Sequence, residues 1–494
     1  MNITPLEVTQ EKNLYEQVAD RIYSLIQEGT LQPGDRLPSV RKLKAQLSVS
    51  VSTVMEAYRL LEDRGLISAR PQSGYYVKLA IAQPPEPTES TPPCYASLVD
   101  TLMTFQFSRS SFHTDGLIQL GAAIPAVELM PTAALNRLMG QVLRQNPEYA
   151  HSYQLPPGCA PLRHEIARLM MNSGCSISPD AINITNGAME AFYLALKAVT
   201  QPGDTVVIES PTYFGFLETL EELHLKALEL PTHPREGLSL EALESVLKSR
   251  SIAACALVSN FSNPLGSCMS DLKKKQLAEL LAQYEVPLVE DDIYGDLNFE
   301  GDRPKAVKAF DRHGLVLYCS SFSKTLSAGL RVGWCVAGRY QTRLERVKWL
   351  VNHTTPPANQ LAIAAFLANG GYDRHLRQLR RTYQGQMTRM IQAICDYFPP
   401  ETRVTQPTGG HILWLEIPGC DAMQLYKEAL RYGIGIAPGP IFSPSRIYGH
   451  CFRLNSGILW NRDLEKAIQT LGHLVKQQLA AKILDEAPPL LRQH

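Results

Sequence analysis

From Ile118 onward the chain alternates helical stretches with short apolar runs: Ile182 to Thr185, Thr205 to Glu209, Ala254 to Ser259, Pro287 to Glu290, Leu315 to Tyr318 and Gly333 to Ala337. Runs this short, bounded by turn residues and separated by helices, predict a mainly parallel sheet with helices on both faces. In such a sheet a ligand sits outside the carboxyl ends of the strands. Residues that carry chemistry are therefore expected just after each run.

After Leu315 to Tyr318 comes Ser320-Ser321-Phe322-Ser323-Lys324, with Arg331 a short way on. A lysine held on a turn among hydroxyls, with an arginine nearby, can form a Schiff base to an aldehyde and bind a phosphate. Those are the two handles of pyridoxal 5'-phosphate. Taken alone, the pattern also describes a solvated lysine on a serine-rich loop. Asn186-Gly187-Ala188-Met189 follows the first run and opens a helix, whose exposed amides suit phosphate. Ser210-Pro211-Thr212-Tyr213 places an aromatic ring at a strand end, and Asn263-Pro264-Leu265-Gly266 forms a turn. In Glu290-Asp291-Asp292-Ile293-Tyr294 a carboxylate is placed to hold a pyridine nitrogen protonated. Three successive acids at a strand end demand partners, because buried unpaired charge is costly.

The length, 494 residues, fits roughly two to four domains. Lys+Arg and Asp+Glu are equal at 48, so contact with nucleic acid requires a local patch. The 10 cysteines show neither a C-x-x-C pair nor metal spacing with histidine, which points to reduced thiols and no metal. Met1 to Asn13 is polar, and no apolar run approaches the ~18 residues of a membrane span. The expected setting is the cytoplasm, with no membrane partner.

Such a patch lies near the amino terminus. Leu14, Val18, Ile22, Leu25 and Ile26 mark one face of a helix ending at Gly29, and Pro33-Gly34-Asp35 reads as a turn. Ser39 caps a second helix to Leu47, and Ser50 caps a third running to about Arg64, stopped by Gly65. Two short strands, Leu66 to Arg70 and Tyr75 to Leu79, flank the turn Pro71-Gln72-Ser73-Gly74. No acid occurs between Asp35 and Glu56, an interval holding Arg36, Arg41, Lys42 and Lys44. With Ser39, Ser50, Ser52 and Thr53, these residues form a face suited to phosphates and base edges. A solvated helical face is the plainer alternative. Beyond it, Pro84, Pro85, Pro87, Pro92 and Pro93 make residues 80–114 a semi-extended linker that permits relative movement, with 94–114 as its loosely read exit.

Over residues 10–79, the runs Leu37-Pro38-Ser39-Val40-Arg41, Val49-Ser50-Val51-Ser52-Thr53-Val54 and Ser73-Gly74-Tyr75-Tyr76-Val77 resemble the winged helix-turn-helix of the GntR regulators. The resemblance implies that Arg41, Lys42, Ser39 and the Ser50 to Thr53 segment meet double-stranded DNA. The wing at Ser73-Gly74 would lie along the groove or backbone. Many members carry arginine where this chain has Val51, which leaves the base-reading residue open.

Residues 115–485 resemble the fold-type I pyridoxal-phosphate aminotransferases, an α/β fold with a large and a small domain. The resemblance implies that Lys324 is the Schiff-base lysine and Asp291 the partner of the pyridine nitrogen. Tyr294 and Asn263 would contact the ring hydroxyl, although Leu265 replaces the usual threonine, and Tyr213 would stack on the ring. Gly187, Ala188, Met189, Ser321, Ser323 and Arg331 would form the phosphate cup, Met189 through its backbone. Arg453, in Cys451-Phe452-Arg453-Leu454-Asn455, would clamp the carboxylate of an amino-acid-like effector, since a guanidinium binds a carboxylate in plane. Tyr153 matches a tyrosine that reaches the cofactor phosphate of a partner subunit, implying a homodimer. A GntR reader joined to such a domain resembles the MocR group and implies a regulator sensing an amino compound. The alternative is an active aminotransferase, converting amino acid to 2-oxo acid, with an accessory DNA-binding domain.

Overall fold

The computed structural model describes residues 13–27, 30–31, 34–64, 66–70, 73–77, 84–113 and 116–486. The expectations placed on Gly29, Pro33, Gly65, Pro71, Gln72 and the strand end at Lys78-Leu79 lie outside these residues, as does the linker's start at 80–83.

The amino-terminal unit is a three-helix bundle with a hairpin: α1 (Leu14–Gln27), α2 (Val40–Leu47), α3 (Val51–Asp63), β1 (Ile67–Arg70) and β2 (Gly74–Val77), the two strands antiparallel. Val18, Ile22, Leu43, Val54, Tyr58 and Leu61 form its core. Ser39 Oγ accepts the Lys42 N–H at 3.3 Å and Ser50 Oγ the Thr53 N–H at 3.0 Å, so both helix starts are capped by the serines predicted to do so.

Residues 97–113, read from sequence as the exit of a linker, belong to the body of the protein. Strand β3 (Ser97–Leu98) and helix α4 (Leu102–His113) lie here, and β3 adds an edge to the large sheet. Met103, Phe105 and Phe107 alternate with polar residues, a period that suggests neither helix nor core. Tertiary contact decides the outcome: Phe107 is buried among the small-domain residues, and Asp100 Oδ1 caps α4 at the Leu102 N–H, 3.1 Å away. The proline-rich stretch is also held from residue 84 on. Glu86 pairs with Arg235 at 2.5 Å, and Pro85 O accepts the Val404 N–H at 2.8 Å.

The large sheet contains β4 (Ile182–Thr185), β5 (Thr205–Ser210), β6 (Lys226–His233), β7 (Ala254–Leu257), β8 (Leu288–Asp291), β9 (Val316–Ser321) and β10 (Gly333–Val336). Their order is β3-β6-β5-β7-β8-β9-β10-β4, parallel from β6 to β9, with β10 antiparallel to both its neighbours. Six of these strands match the apolar runs, whereas β6 was not predicted. The two-way burial of β4, β7, β8, β9 and β10 accounts for their unbroken apolar character. A smaller sheet includes the antiparallel pair β11 (Ile412–Glu416) and β12 (Cys451–Asn455), which brings Arg453 beside Trp414. Helix α5 (Ala188–Val199) follows β4, and α6 (Phe214–Glu222) follows β5.

A long helix, α7 (Gly371–Tyr397), runs between the two functional regions. Near its start the Tyr372 hydroxyl lies 2.8 Å from Asp296 Oδ2 and 3.1 Å from Thr325 Oγ1, while His375 Nε2 is 2.6 Å from the Thr325 carbonyl. Further along, Arg381 pairs with Glu16 and lies 5.6 Å over the Tyr15 ring, and Arg389 reaches Asp63 at 3.9 Å. One helix therefore touches both the segment beside Lys324 and the amino-terminal bundle. Among the described residues no helix is long and apolar enough to cross a membrane.

Candidate functional site

A cavity of about 300 Å³ opens at the carboxyl ends of β4, β5, β7, β8 and β9. Its wall gathers Ala188, Met189, Tyr213, Asn263, Asp291, Tyr294, Ser323, Lys324, Arg331 and Arg453, residues drawn from sequence positions far apart. Ser321 and Gly187 stand immediately behind. Ser321 Oγ accepts the Ser323 N–H at 3.3 Å, and Gly187 caps α5 with φ of 88°. A Cβ at Gly187 would run into the Arg331 guanidinium, so only glycine lets the arginine close on the helix start.

The three successive acids separate into distinct roles. Glu290 accepts from the Ser259 hydroxyl at 2.5 Å and from the Val307 and Lys308 N–H groups at 2.7 and 3.0 Å. Asp292 is neutralised by Arg303 at 2.7 Å and accepts from Tyr318 and Asn260. Asp291 alone of the three faces the cavity, and among the described residues its side chain accepts only the Ile293 N–H, at 3.1 Å. Burial pushes its carboxyl up to about 7. A buried carboxylate with no cation bonded to it matches a ligand that supplies an N–H⁺.

Lys324 follows β9 and donates from Nζ to the Ala123 carbonyl at 2.6 Å. Burial, with Arg453 and Arg331 nearby, lowers its ammonium to about 8 despite the opposing Asp291. The free amine, the nucleophilic form, is thereby far more populated at neutral pH than for a solvated lysine.

Arg331 donates to the Asn186 and Ala328 carbonyls at 2.9 and 3.1 Å and lies 3.5 Å from Ser323 Oγ. Its backbone is left-handed at φ 52°, a conformation that costs a side-chain-bearing residue about 1 kcal/mol or more. Glu190, in the first turn of α5, would oppose an anion there, but Lys348 neutralises it at 3.0 Å. The helix start, the guanidinium and a serine hydroxyl thus converge as an anion cradle.

Arg453 is 1% exposed. It donates to Asn263 Oδ1 at 2.7 Å and to the Gly121 carbonyl, and its Nε is buried without a partner. Phe214 and Phe442 cover it at 5.8 and 5.0 Å. Burial lowers it to about 10, so it remains a cation at neutral pH with donor capacity to spare. Burial raises Tyr213 to about 12 and Tyr294 further, keeping both phenols protonated. Beside Tyr294 lies His411, held neutral by burial at about 3. Tyr153 stands apart from the cavity, 77% exposed on the surface of the chain.

Sequence reasoning missed Phe107, Ala122, Ala123, Ile124 and Phe214, which supply the apolar wall. The small-residue run Gly121-Ala122-Ala123 was a signal: at Gly121 a Cβ would meet the Ile436 backbone at 2.6 Å.

In the amino-terminal unit, Ser39, Arg41, Lys42, Ser50, Ser52 and Gly74 are exposed, and Thr53 and Ser73 half-buried. Ser50 Oγ lies 2.7 Å from both Ser52 Oγ and Thr53 Oγ1, and Ser73 Oγ 2.6 Å from the Tyr76 hydroxyl. Val51, at the head of α3, is also exposed. This face is at the opposite end of α3 from Asp63, roughly 18 Å away at the helical rise.

Residues 14–77 match the family of bacterial regulatory proteins, gntR family, and residues 117–471 match aminotransferase class I and II. The chain is 42% identical to the HTH-type transcriptional regulator YdcR of Escherichia coli K12, over 94% of this chain and 99% of that protein. It is 37% identical to YjiR, another such regulator of that organism, over 93% and 98%. Among solved structures, LysN, the α-aminoadipate aminotransferase of Thermus thermophilus complexed with N-(5'-phosphopyridoxyl)-L-leucine, superposes with a TM-score of 0.71. The two are 29% identical over 76% of this chain and 95% of LysN.

Proposed function

The chain belongs to the GntR family of transcriptional regulators in its MocR-like form, a winged helix-turn-helix joined to an aminotransferase class I and II domain, and we propose that it binds pyridoxal 5'-phosphate and senses an amino compound. The observation that carries this reading is the convergence of Lys324, Asp291, Arg331 and Arg453 on one cavity, with Asp291 lacking a bonded cation.

Asp291 would hold the pyridine nitrogen, Tyr294 and Asn263 the ring hydroxyl, and Tyr213 the ring face. Arg331, Ser323 and the amides at Gly187, Ala188 and Met189 would hold the phosphate, with Ser321 bracing the loop. When bound, the cofactor supplies an aldehyde carbon that takes up primary amines and a cationic ring that draws electrons from them. Lys324, half deprotonated near pH 8, offers its amine and can accept or return a proton at Nζ. Arg453 fixes a carboxylate in plane. Tyr153 would complete the site of a second copy in a homodimer, and the setting is cytoplasmic.

The reading face of α2, α3 and the β1–β2 wing would bind operator DNA through Arg41, Lys42, Ser39, Ser50, Ser52, Thr53, Ser73 and Gly74. Because α7 contacts Thr325 at one end and Glu16 and Asp63 at the other, it is the physical route by which occupancy of the cavity alters the seating of the head. A ligand does so only if it binds two arrangements with different affinity.

The second reading, turnover as an aminotransferase, is favoured by the lowered Lys324, which suits proton transfer. Visible absorption of the full-length protein with pyridoxal phosphate, beside Lys324→Ala, tests the site. A lysine-dependent band that shifts with an amine, without stoichiometric 2-oxo acid, supports the sensor; 2-oxo acid release supports the enzyme. Absence of any band in the wild type removes the cofactor from both.

A further inference from the structure

The charged side chains lining the cavity are Asp291, Lys324, Arg331 and Arg453. In the reading above, on which this inference rests, the first three serve the cofactor, leaving Arg453 as the lining cation available to a ligand. Among the described residues its buried Nε has no partner, and its Cζ lies 5.8 and 5.0 Å from the rings of Phe214 and Phe442. The wall beside it is hydrocarbon. Phe107 packs edge-to-face on Phe214 at 6.0 Å, and Ile124 and Met189 line the same space. None of these side chains offers a hydrogen-bond donor or a charge. Three carbonyls here already accept a hydrogen bond: Ala123 O from Lys324, Ile124 O from Asn455 at 2.8 Å, and Gly121 O from Arg453.

We infer that the ligand is an α-amino monocarboxylate with an apolar or aromatic side chain, its carboxylate on Arg453 and its side chain against Phe107, Ile124 and Phe214. One carboxylate finds a fixed, desolvated guanidinium. A second carboxylate, or a side-chain ammonium, would lose its water against phenyl and aliphatic groups and gain no partner. An amine without a carboxylate would leave the Arg453 donors unmet.

The test uses the full-length, cofactor-loaded protein, titrated with L-leucine, L-phenylalanine, L-glutamate, L-lysine and isoamylamine. Binding is followed by the visible spectrum and, in parallel, by calorimetry. L-Leucine or L-phenylalanine should bind at least tenfold more tightly than the other three. Ile124→Arg adds a cation at a position 39% exposed and so tolerant of the change; it should narrow or reverse the preference over L-glutamate. Tightest binding by L-glutamate, L-lysine or isoamylamine overturns the inference and leaves the cofactor site standing. A protein that loads cofactor through Lys324 but responds to none of the five also overturns it. Failure to load cofactor at all is a different result, and removes the site itself.

Discussion

In the DNA-reading head, Arg41, Lys42, Ser50 and Ser52 stand in solvent, and the serines are bonded to their own helix starts or to each other. In the cavity, Asp291 and Arg453 are almost completely enclosed, and each keeps hydrogen-bonding capacity that the chain itself does not fill. The head needs little from tertiary structure beyond holding its helices, and its charges act through a screened, high-dielectric medium. The cavity holds charge where water is scarce, which is expensive for the empty protein and becomes selective when a complementary ligand arrives. Surface groups therefore report on salt, and enclosed groups on pH and ligand.

The sharpest way to break this contrast is Asp291→Asn. The folded carboxyl titrates near 7, against about 4 in an unfolded chain. Between those values the folded state holds the extra proton, so the cofactor-free protein loses stability as pH rises from about 4 to 7. Asp291→Asn should remove that loss, stabilising the cofactor-free protein at pH 8 by at most about 4 kcal/mol and near pH 4 by almost nothing. Urea unfolding at both pH values checks this; an equal effect at both would mean that the folded Asp291 carboxyl is not raised. The same variant should bind pyridoxal phosphate more weakly.

Next in size is Arg453→Ala. Carboxylate-bearing amines should lose about 3 kcal/mol of binding, on the order of 100-fold. DNA affinity without an amine should stay within about twofold. Fluorescence anisotropy on an operator fragment, beside a spectral titration, separates the two outcomes.

In the head, Arg41→Ala should weaken binding to operator and unrelated DNA alike by about 1 kcal/mol and lower the salt slope by about one ion. A loss confined to one sequence would assign Arg41 to a base edge instead. Of similar size is the effect expected at the meeting of the two regions. Arg381→Glu opposes Glu16 with like charge, and it should leave amine binding intact while shrinking the amine-induced change in DNA affinity, by roughly a factor of five. An unchanged response would mean that α7 is not the route.

Much of both regions was legible from residue order. Ser39 and Ser50 cap helices because a serine ahead of an amphipathic run satisfies the first amides locally. The strand-end residues Tyr213, Asn263, Asp291 and Lys324 were found because a parallel sheet delivers its carboxyl ends to one edge. The segment 97–113 was misread because its helix is stabilised by contacts distant in sequence, such as Phe107 against Phe214 and Tyr426, rather than by its own periodicity. β6 escaped notice because Lys226, Glu229, Pro231 and His233 break its apolar character, although it is the partner strand of β5.

Sequence alone marked out two units and a basic face on the head, and it singled out Lys324 as the candidate lysine, since these readings rest on periodicity, capping, short motifs and the resemblance they carry. Tertiary structure decided which of three adjacent acids faces the cavity. Arg303 claims Asp292 and the Val307 and Lys308 amides claim Glu290, so Asp291 is left for a ligand. It also decided the apolar wall around Arg453, assembled from α4, residues 122–124 and α6. The physical reason is common to both: desolvation and ion pairing depend on what surrounds a side chain in space, which local sequence does not encode.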